Sequence, residues 1–408
     1  MANVSSSNGI EKYPLLRFNG YNNPWMTQKL GDLGTFIKGA PLSKADISNE
    51  GNPFILYGEL YTTYSEVTHS VKRKTDKTVE QQFYSKIGDV IMPTSGETPE
   101  DIATASCIML PDVILAGDLL IYRTEQIDGR FVSYAIKNKV NKQISSVAQG
   151  KSVVHVRADE LAKICITFPA LDEQKKILNL LALLDTRIAT QQSLIETLKK
   201  YKRGVVKTLL DPKQNQRKGV IWTTDTIGKL GTFIKGAALS KADISDFGTP
   251  FVLYGELYTT YKEVVRSIAR TTQASVDDVY FSKVGDVVIP TSGETPEEIS
   301  TASCIMVPNV ILAGDLNIYR STIVDGRIMS YLLNHIVNAQ IARVAQGKSV
   351  VHVQASEVGK ISITYPDHNE QERIAQILEL IDNRIAVSEK ALISMQMMKK
   401  AFLQQLFI

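Results

Sequence analysis

The chain is written twice, and that constrains its fold more than anything else in it. Residues 31–64 read GDLGTFIKGAPLSKADISNEGNPFILYGELYTTY. Residues 228–261 read GKLGTFIKGAALSKADISDFGTPFVLYGELYTTY, with 28 of 34 positions identical at an offset of 197 residues. The offset holds without a gap to the end of the 408-residue chain. A period this long is not a solenoid repeat, whose units run to about 20–50 residues. A whole module has been copied, so one architecture is expected twice.

Each copy divides into a mixed segment and a helical one. The mixed segment carries short β-rich runs at 54–57, 89–92, 113–115 and 153–156, punctuated by Gly, Pro and Asp, as expected of an α/β domain with a strongly curved sheet. The helical segment follows Pro169, with Asp172 as a candidate cap and Glu173 favourable in the first turn. It is expected to run to about Leu210, where Asp211-Pro212 stops it. The second copy of this helix is expected to start near Asn369 and to run almost to Ile408. The expected domains are 1–170 (with 1–12 as a loose tail), a helical spacer at 171–211, a linker at 212–220, a second α/β domain at 221–367 and a second spacer at 368–408.

Both spacers carry heptads. In the first the seam reads Leu181, Leu184, Ile188, Gln191, Ile195, Leu198, Lys202, Val205 and Leu209. In the second it reads Leu378, Ile381, Ile385, Ser388, Leu392, Met395, Lys399, Phe402 and Leu406. Seven of nine positions are apolar in each, and the polar exceptions occupy the same slots. A helix so long with so narrow a stripe needs a partner helix, and the other copy is the nearest candidate.

Similarity between the copies is uneven. PTSGETPE at 93–100 recurs at 290–297, and AQGKSVVHV at 148–156 recurs at 345–353, without a change. By contrast 65–80 keeps 6 of 16 residues, and 190–210 keeps 2 of 21 while preserving its heptads. Either both α/β domains must read the same thing, or one has recently replaced the other. On both accounts their binding specificities should be nearly equal.

Composition bounds the rest. A formal charge of +3 is only mildly basic, so any DNA grip must concentrate its charge locally or borrow it from partners. Cys107, Cys165 and Cys304 form no CxxC pair, which excludes a disulfide framework or a zinc site and fits a reducing cytoplasm. No apolar run approaches the ~18 residues of a membrane span.

The layout resembles type I restriction-modification specificity subunits. The resemblance is carried by Leu16-Arg17-Phe18-Asn19-Gly20 with Trp25 and Lys29-Leu30-Gly31-Asp32, and by Gly88-Asp89-Val90-Ile91, repeated as Gly285-Asp286-Val287-Val288. It is carried most by the junction Phe168-Pro169, Glu173-Gln174, Ile177, Leu184-Asp185-Thr186-Arg187-Ile188. That junction recurs as Tyr365-Pro366, Glu370-Gln371, Ile374, Ile381-Asp382-Asn383-Arg384-Ile385. The resemblance covers nearly the whole chain. It implies two tandem α/β target-recognition domains and two long helices paired as an antiparallel coiled coil, related by a pseudo-twofold axis. It also implies a bipartite double-stranded DNA target, two docked methyltransferase subunits and motor-nuclease subunits. S-adenosylmethionine, ATP and magnesium would then belong to those partners, and this chain would bind no cofactor of its own.

Base reading requires exposed donors and acceptors on loops held by a rigid scaffold. Four stretches qualify in each copy. The first loop, 36–44, offers Lys38, Ser43 and Lys44, repeated as Lys235, Ser240 and Lys241. The second, 57–64, offers Tyr57, Glu59, Tyr61, Thr62, Thr63 and Tyr64, and the second copy offers Tyr254, Tyr258, Thr259, Thr260 and Tyr261 at the same places. The third, 94–98, offers Thr94, Ser95, Glu97 and Thr98, repeated as Thr291, Ser292, Glu294 and Thr295. The fourth, 149–155, offers Gln149, Lys151, Ser152 and His155, repeated as Gln346, Lys348, Ser349 and His352. Lys38 and Lys151 suit phosphates or guanine edges, Gln149 suits adenine and Glu97 suits cytosine. Structural roles compete at several positions. Thr98 is placed to cap a helix starting at Pro99. Residues 150–152 could be a solvated turn, His155 a structural histidine, the tyrosines core residues, and Cys107 and Cys304 small buried hydrophobes. The basic runs 199–203 and 213–218 read as a solvated helix end and linker, or as a track for DNA or an acidic partner.

The sequence has no GxGxxG, no GxxxxGK[ST] and no Asn/Asp-Pro-Pro-aromatic motif, so a catalytic or metal site is not expected in this chain. The competing expectation is a two-headed protein–protein adaptor without DNA specificity.

Overall fold

The computed structural model describes residues 2–3, 13–150, 153–215, 217, 219–347 and 351–408. Residues 2–3 pair antiparallel with Leu16–Arg17. The chain forms two compact units. One comprises Met1–Gln191 with Ala391–Ile408, and the other comprises Gln192–Lys390. Each therefore contains one α/β head and a portion of both long helices.

In the first head a five-stranded sheet runs in the order Thr35–Lys38, Leu119–Arg123, Asp89–Pro93, Ser106–Ile108, Val67–Thr68. Only its last pair is parallel. A three-stranded sheet places Asn52–Leu56 between Ile114–Ala116 and Arg73–Thr75. The second head repeats this order, with Gly231–Lys235, Leu316–Ser321, Asp286–Pro290, Ser303–Ile305 and Val264–Val265 in the larger sheet. Each expected β-rich run contains a strand, although the run at 153–156 contributes only Val154–His155, and Asp89–Pro93 and Asp286–Pro290 are buried throughout.

The Gly-Asp motif has a local reason. Gly88 has φ +95°, and the carbonyl oxygen of Gly88 lies so close to Gly129 that a Cβ there would sit 2.0 Å from it. Asp89 next to it takes a two-pronged grip from Arg123, at 3.0 Å from both Nε and Nη2. The Arg123 grip ties two neighbouring strands of the sheet, while the close approach of Gly88 to Gly129 seats the helix Gly129–Ala135, which Asp128 caps through the Arg130 amide at 2.9 Å.

Two 39-residue helices, Leu171–Leu209 and His368–Leu406, match the expected spacers to within a residue or two. Each is about 58 Å long at 1.5 Å per residue. Asp172 is not the cap, because the helix has already begun at Leu171 and its carboxylate acts on the first-turn dipole instead. The second helix does have an aspartate in the capping role, since Asp367 accepts from the Glu370 amide at 3.2 Å.

The Glu-Gln pair at each junction bolts head to helix. Gln174 accepts from the Asp128 amide at 3.0 Å and donates to the Pro169 carbonyl at 2.8 Å. Gln371 makes the equivalent bonds to Asp325 and Pro366, at 2.6 and 2.9 Å. Glu173 is buried and takes both Nε and Nη2 of buried Arg17 at 2.8 Å. Glu370 uses Asn215, Arg373 and Arg217 instead.

All eighteen expected seam positions are buried or half-buried, whereas Leu183, Arg187, Leu194 and Tyr201 beside them are exposed. Within the first unit Ile177, Leu178 and Leu181 share a core with Leu403, Leu406 and Phe407, and Asp185 pairs with Lys399 at 2.6 Å. Within the second, Lys199 pairs with Glu389 at 3.0 Å and Lys202 with Asp382 at 2.6 Å. In both units the partner numbers fall as the first helix advances, so the helices pair antiparallel. The basic run at 199–203 is thus not simply a solvated end, because Lys199 and Lys202 are committed to the other helix.

The seam lysines also reach the heads. Lys202 donates to Glu263 at 2.8 Å and lies 5.0 Å above the Tyr331 ring. Lys399 lies 3.4 Å from Glu66 and 5.4 Å above the Tyr134 ring. Glu263 further meets His335 at 2.6 Å, where the first copy has Asn138 and uses Lys137 on Glu66 at 3.3 Å. Burial opposes the charge on Glu263, but the His335 hydrogen bond and the Lys202 ammonium outweigh it and hold the carboxyl at about 2. An unfolded glutamate titrates near 4.3. The folded value is the lower one, so the stability from Glu263 is fully present above about pH 4.3 and is lost as pH falls toward 2, on the order of 3 kcal/mol. His335→Asn removes one of its partners, and the acid-unfolding midpoint followed by circular dichroism is expected to move to higher pH. An unchanged midpoint would show that His335 does not hold this carboxylate.

Candidate nucleic-acid interface

The four reading stretches converge at one end of each five-stranded sheet. Ser95–Gly96 pairs with Val154–His155, joining the third stretch to the fourth. Gln149 and His155 exchange two backbone hydrogen bonds, at 2.9 and 2.8 Å. The Thr94 amide donates to Asp118 at 2.8 Å, while Gly117 donates to Ala40 at 2.8 Å, which brings in the first stretch. The second head repeats these bonds through Thr291, Asp315, Gly314 and Ala237. There a cavity of about 880 Å³ is lined by Ser240, Lys241, Tyr254, Tyr258, Thr259, Ser292 and Glu294. Residues from three of the four stretches thus share one concave surface.

Its chemistry is mixed. Lys38, Lys44, Glu97, Gln149 and His155 are exposed, as are Lys235, Lys241, Glu294, Gln346 and His352. Tyr57 and Tyr61 meet edge to face with ring centroids 6.5 Å apart, as do Tyr254 and Tyr258. Burial, then Tyr57, Asp101 and Glu97, push the Tyr61 phenol above its ordinary value. Burial, then Tyr254, Glu298 and Glu294, do the same to Tyr258. Both phenols therefore stay neutral donors at physiological pH. Such a surface offers cations for phosphates, and amide, imidazole and carboxylate groups for base edges.

Several expected contacts have other duties. Residues 35–38 are an edge strand rather than a loop, because Phe36 packs on Tyr122 at 4.8 Å, and the first loop starts after Lys38. Ser43 and Ser240 cap short 3-10 turns, although both remain exposed. Thr98 and Thr295 cap the helices starting at Pro99 and Pro296 through the Asp101 and Glu298 amides at 3.2 Å. Glu59 is buried, accepting from the Leu56 amide and pairing with Arg73 at 3.1 Å, so it cannot meet a base. Thr62 donates to the Gly58 carbonyl, and Tyr64 accepts from the Lys72 amide at 3.2 Å. The repeat shows the same bonds at Thr259 and Tyr261, while Thr63 and Thr260 are exposed. Ser95 and Ser292 are buried and donate to Asp118 and Asp315 at 2.9 Å. Ser95 also lies 3.2 Å from Nδ1 of His155, which orients that ring. His155 is therefore hydrogen-bonded and exposed at once. Lys151, Ser152, Lys348 and Ser349 lie outside the described residues.

Sequence reasoning missed Asp118 and Asp315, which hold the third stretch, and Arg270, which lines the cavity while bonded to Glu256 at 2.7 Å. A signal did exist: Gly117-Asp118 recurs as Gly314-Asp315. Cys107 and Cys304 are buried, and burial pushes both thiols up.

Two stretches of this chain, residues 22–200 and 220–395, match the type I restriction modification DNA specificity domain. The chain belongs to that family. Its role is that of a DNA sequence specificity subunit, and the adaptor reading finds no support in these matches. The specificity subunit of the type I restriction enzyme MjaVIII from Methanocaldococcus jannaschii is 22% identical over 94% of this chain and 92% of its own length. The fold is shared with the crystal structure of a type I restriction-modification S subunit from M. genitalium, at TM-score 0.62 and 18% identity over 97% of this chain and 99% of that one. A chain from a structural study of type I restriction-modification complex assembly superposes at TM-score 0.58 and 15% identity, over 94% of this chain and 98% of its own. No helix among the described residues is long and apolar enough to cross a membrane.

Proposed function

We propose that the two heads read the same DNA word on opposite strands, so that the target is a gapped near-palindrome. The observation that carries this reading is the identity of 93–100 with 290–297 and of 148–156 with 345–353. These segments meet side by side in each head, as Ser95–Gly96 with Val154–His155 and as Ser292–Gly293 with Val351–His352. Equal surfaces select equal base pairs. The long helices set the gap between half-sites and dock two methyltransferase subunits, which modify one adenine in each half. Motor-nuclease subunits join them to cut unmodified DNA. In this reading the present chain does no chemistry. S-adenosylmethionine, ATP and magnesium are held by the partners, and the assembly works in the cytoplasm.

Methylome sequencing of cells carrying this chain with its methyltransferase tests the proposal. The expected motif is one gapped inverted repeat with a methylated adenine on each strand. Two unrelated half-words would overturn it.

A further inference from the structure

Between 190–210 and 387–407 only two of 21 positions match, and Lys202/Lys399 is one of them. The slot is an unlikely place for a lysine. It lies in the helix seam, and Lys202 is buried with Lys399 half-buried. An ammonium taken out of water is costly unless charges and hydrogen bonds surround it. A leucine or methionine would pack the seam at least as well, since replacing buried ion pairs by apolar groups of similar volume is often neutral or stabilising. Apolar packing of the helix pair therefore does not account for the lysine, and its directional bonds must.

Those bonds are the same in both units. Each lysine joins an aspartate of the opposite helix, Asp382 or Asp185, at 2.6 Å. Each joins a glutamate at the edge of the five-stranded sheet, Glu263 at 2.8 Å or Glu66 at 3.4 Å. The aspartate in turn accepts from a head tyrosine, Tyr331 at 2.5 Å or Tyr134 at 2.6 Å. One cation thus ties both helices to the head. The junction glutamine is the other tie, and it lies eleven residues before the aspartate, from Gln174 to Asp185 and from Gln371 to Asp382. Along a helix that is about 17 Å. Two directional attachments that far apart stop the head from rocking about its junction, whereas apolar packing alone is non-directional.

We infer that Lys202 and Lys399 are positioning residues that fix the angle of each reading head on its helix pair, and so set how sharply the complex discriminates gap length. The inference rests on the gapped-site reading above. A polar seam residue at one slot is an established way to specify register at a cost in stability. Here the register extends to the head as well as to the partner helix.

The test uses the full chain assembled with its methyltransferase subunits. Binding is measured on duplexes carrying both half-sites at the natural gap, at one base pair less and at one more. The wild-type complex is expected to prefer the natural gap. In the Lys202→Met, Lys399→Met complex that preference should fall about fivefold or more, as is typical of breaking a coupled contact. Discrimination between correct and altered half-site words should be unchanged. Lys202→Arg with Lys399→Arg should restore much of the preference. Glu66→Gln with Glu263→Gln, which leaves the seam untouched, should reproduce the loss if the lysine variant fails to assemble. Equal weakening at every gap length, with ratios preserved, would reduce the lysines to a structural role and overturn the inference. A wild-type complex indifferent to gap length would instead overturn the gapped-site reading.

Discussion

Gln149→Ala should relax the DNA motif at one base pair of one half-site and leave the other half intact. Its side chain is exposed, while its backbone is pinned to His155 by two hydrogen bonds, so the amide is presented from a rigid base. A bidentate amide–base pair contributes about 1–3 kcal/mol of discrimination, or roughly 5- to 150-fold. Gln346→Ala should relax the mirror position in the other half, because Gln346 and His352 repeat the same pair of bonds. The double variant should return a symmetric motif, degenerate at both positions. Methylome sequencing of the three variants reads this directly. A single variant that altered both halves, or a double variant that gave an asymmetric motif, would contradict assignment of one half-site to each head.

The largest effect on stability is expected at Arg17. Its guanidinium and the Glu173 carboxylate are both buried and bonded side by side at 2.8 Å. Arg17→Met leaves the Glu173 charge buried without its partner, a change that costs about 3–5 kcal/mol. Heat unfolding of the first unit should therefore start roughly 10 °C lower. Adding Glu173→Leu should recover most of the loss, because an apolar pair of similar volume removes the stranded charge. The equivalent carboxylate in the second unit, Glu370, keeps three other partners, so unfolding of that unit should not shift. If Arg17→Met alone unfolds like the wild type, the pair contributes nothing to holding the head on its helix.

Much of this is legible in the amino-acid sequence. The repeat, the heptads ending at Leu209 and Leu406, and the buried run Asp89–Pro93 are local patterns, and local periodicity reports which face of an element must be covered. The reading stretches were also recognisable, because polar and aromatic residues interrupted by Gly and Pro mark loops. Their individual duties were less legible. Thr98 as a cap followed from Thr-Pro spacing, but Glu59 looked like a base-reading acceptor and points into the protein. Its partner Arg73 lies on a separate strand, and nothing in the local spelling announces that pairing.

By itself, then, the sequence determined that there are two equal heads, two long helices with a narrow seam, and four candidate reading stretches per head. Each of these depends only on residues close along the chain or on the comparison of one copy with the other. Tertiary structure alone decided which groups the seam lysines serve and how the reading stretches meet. Lys399 finds Glu66 across 333 residues, and Ser95 finds His155 across 60. Hydrogen bonds and ion pairs act over about 3 Å in space and are blind to separation along the chain, so only the folded arrangement could pair them.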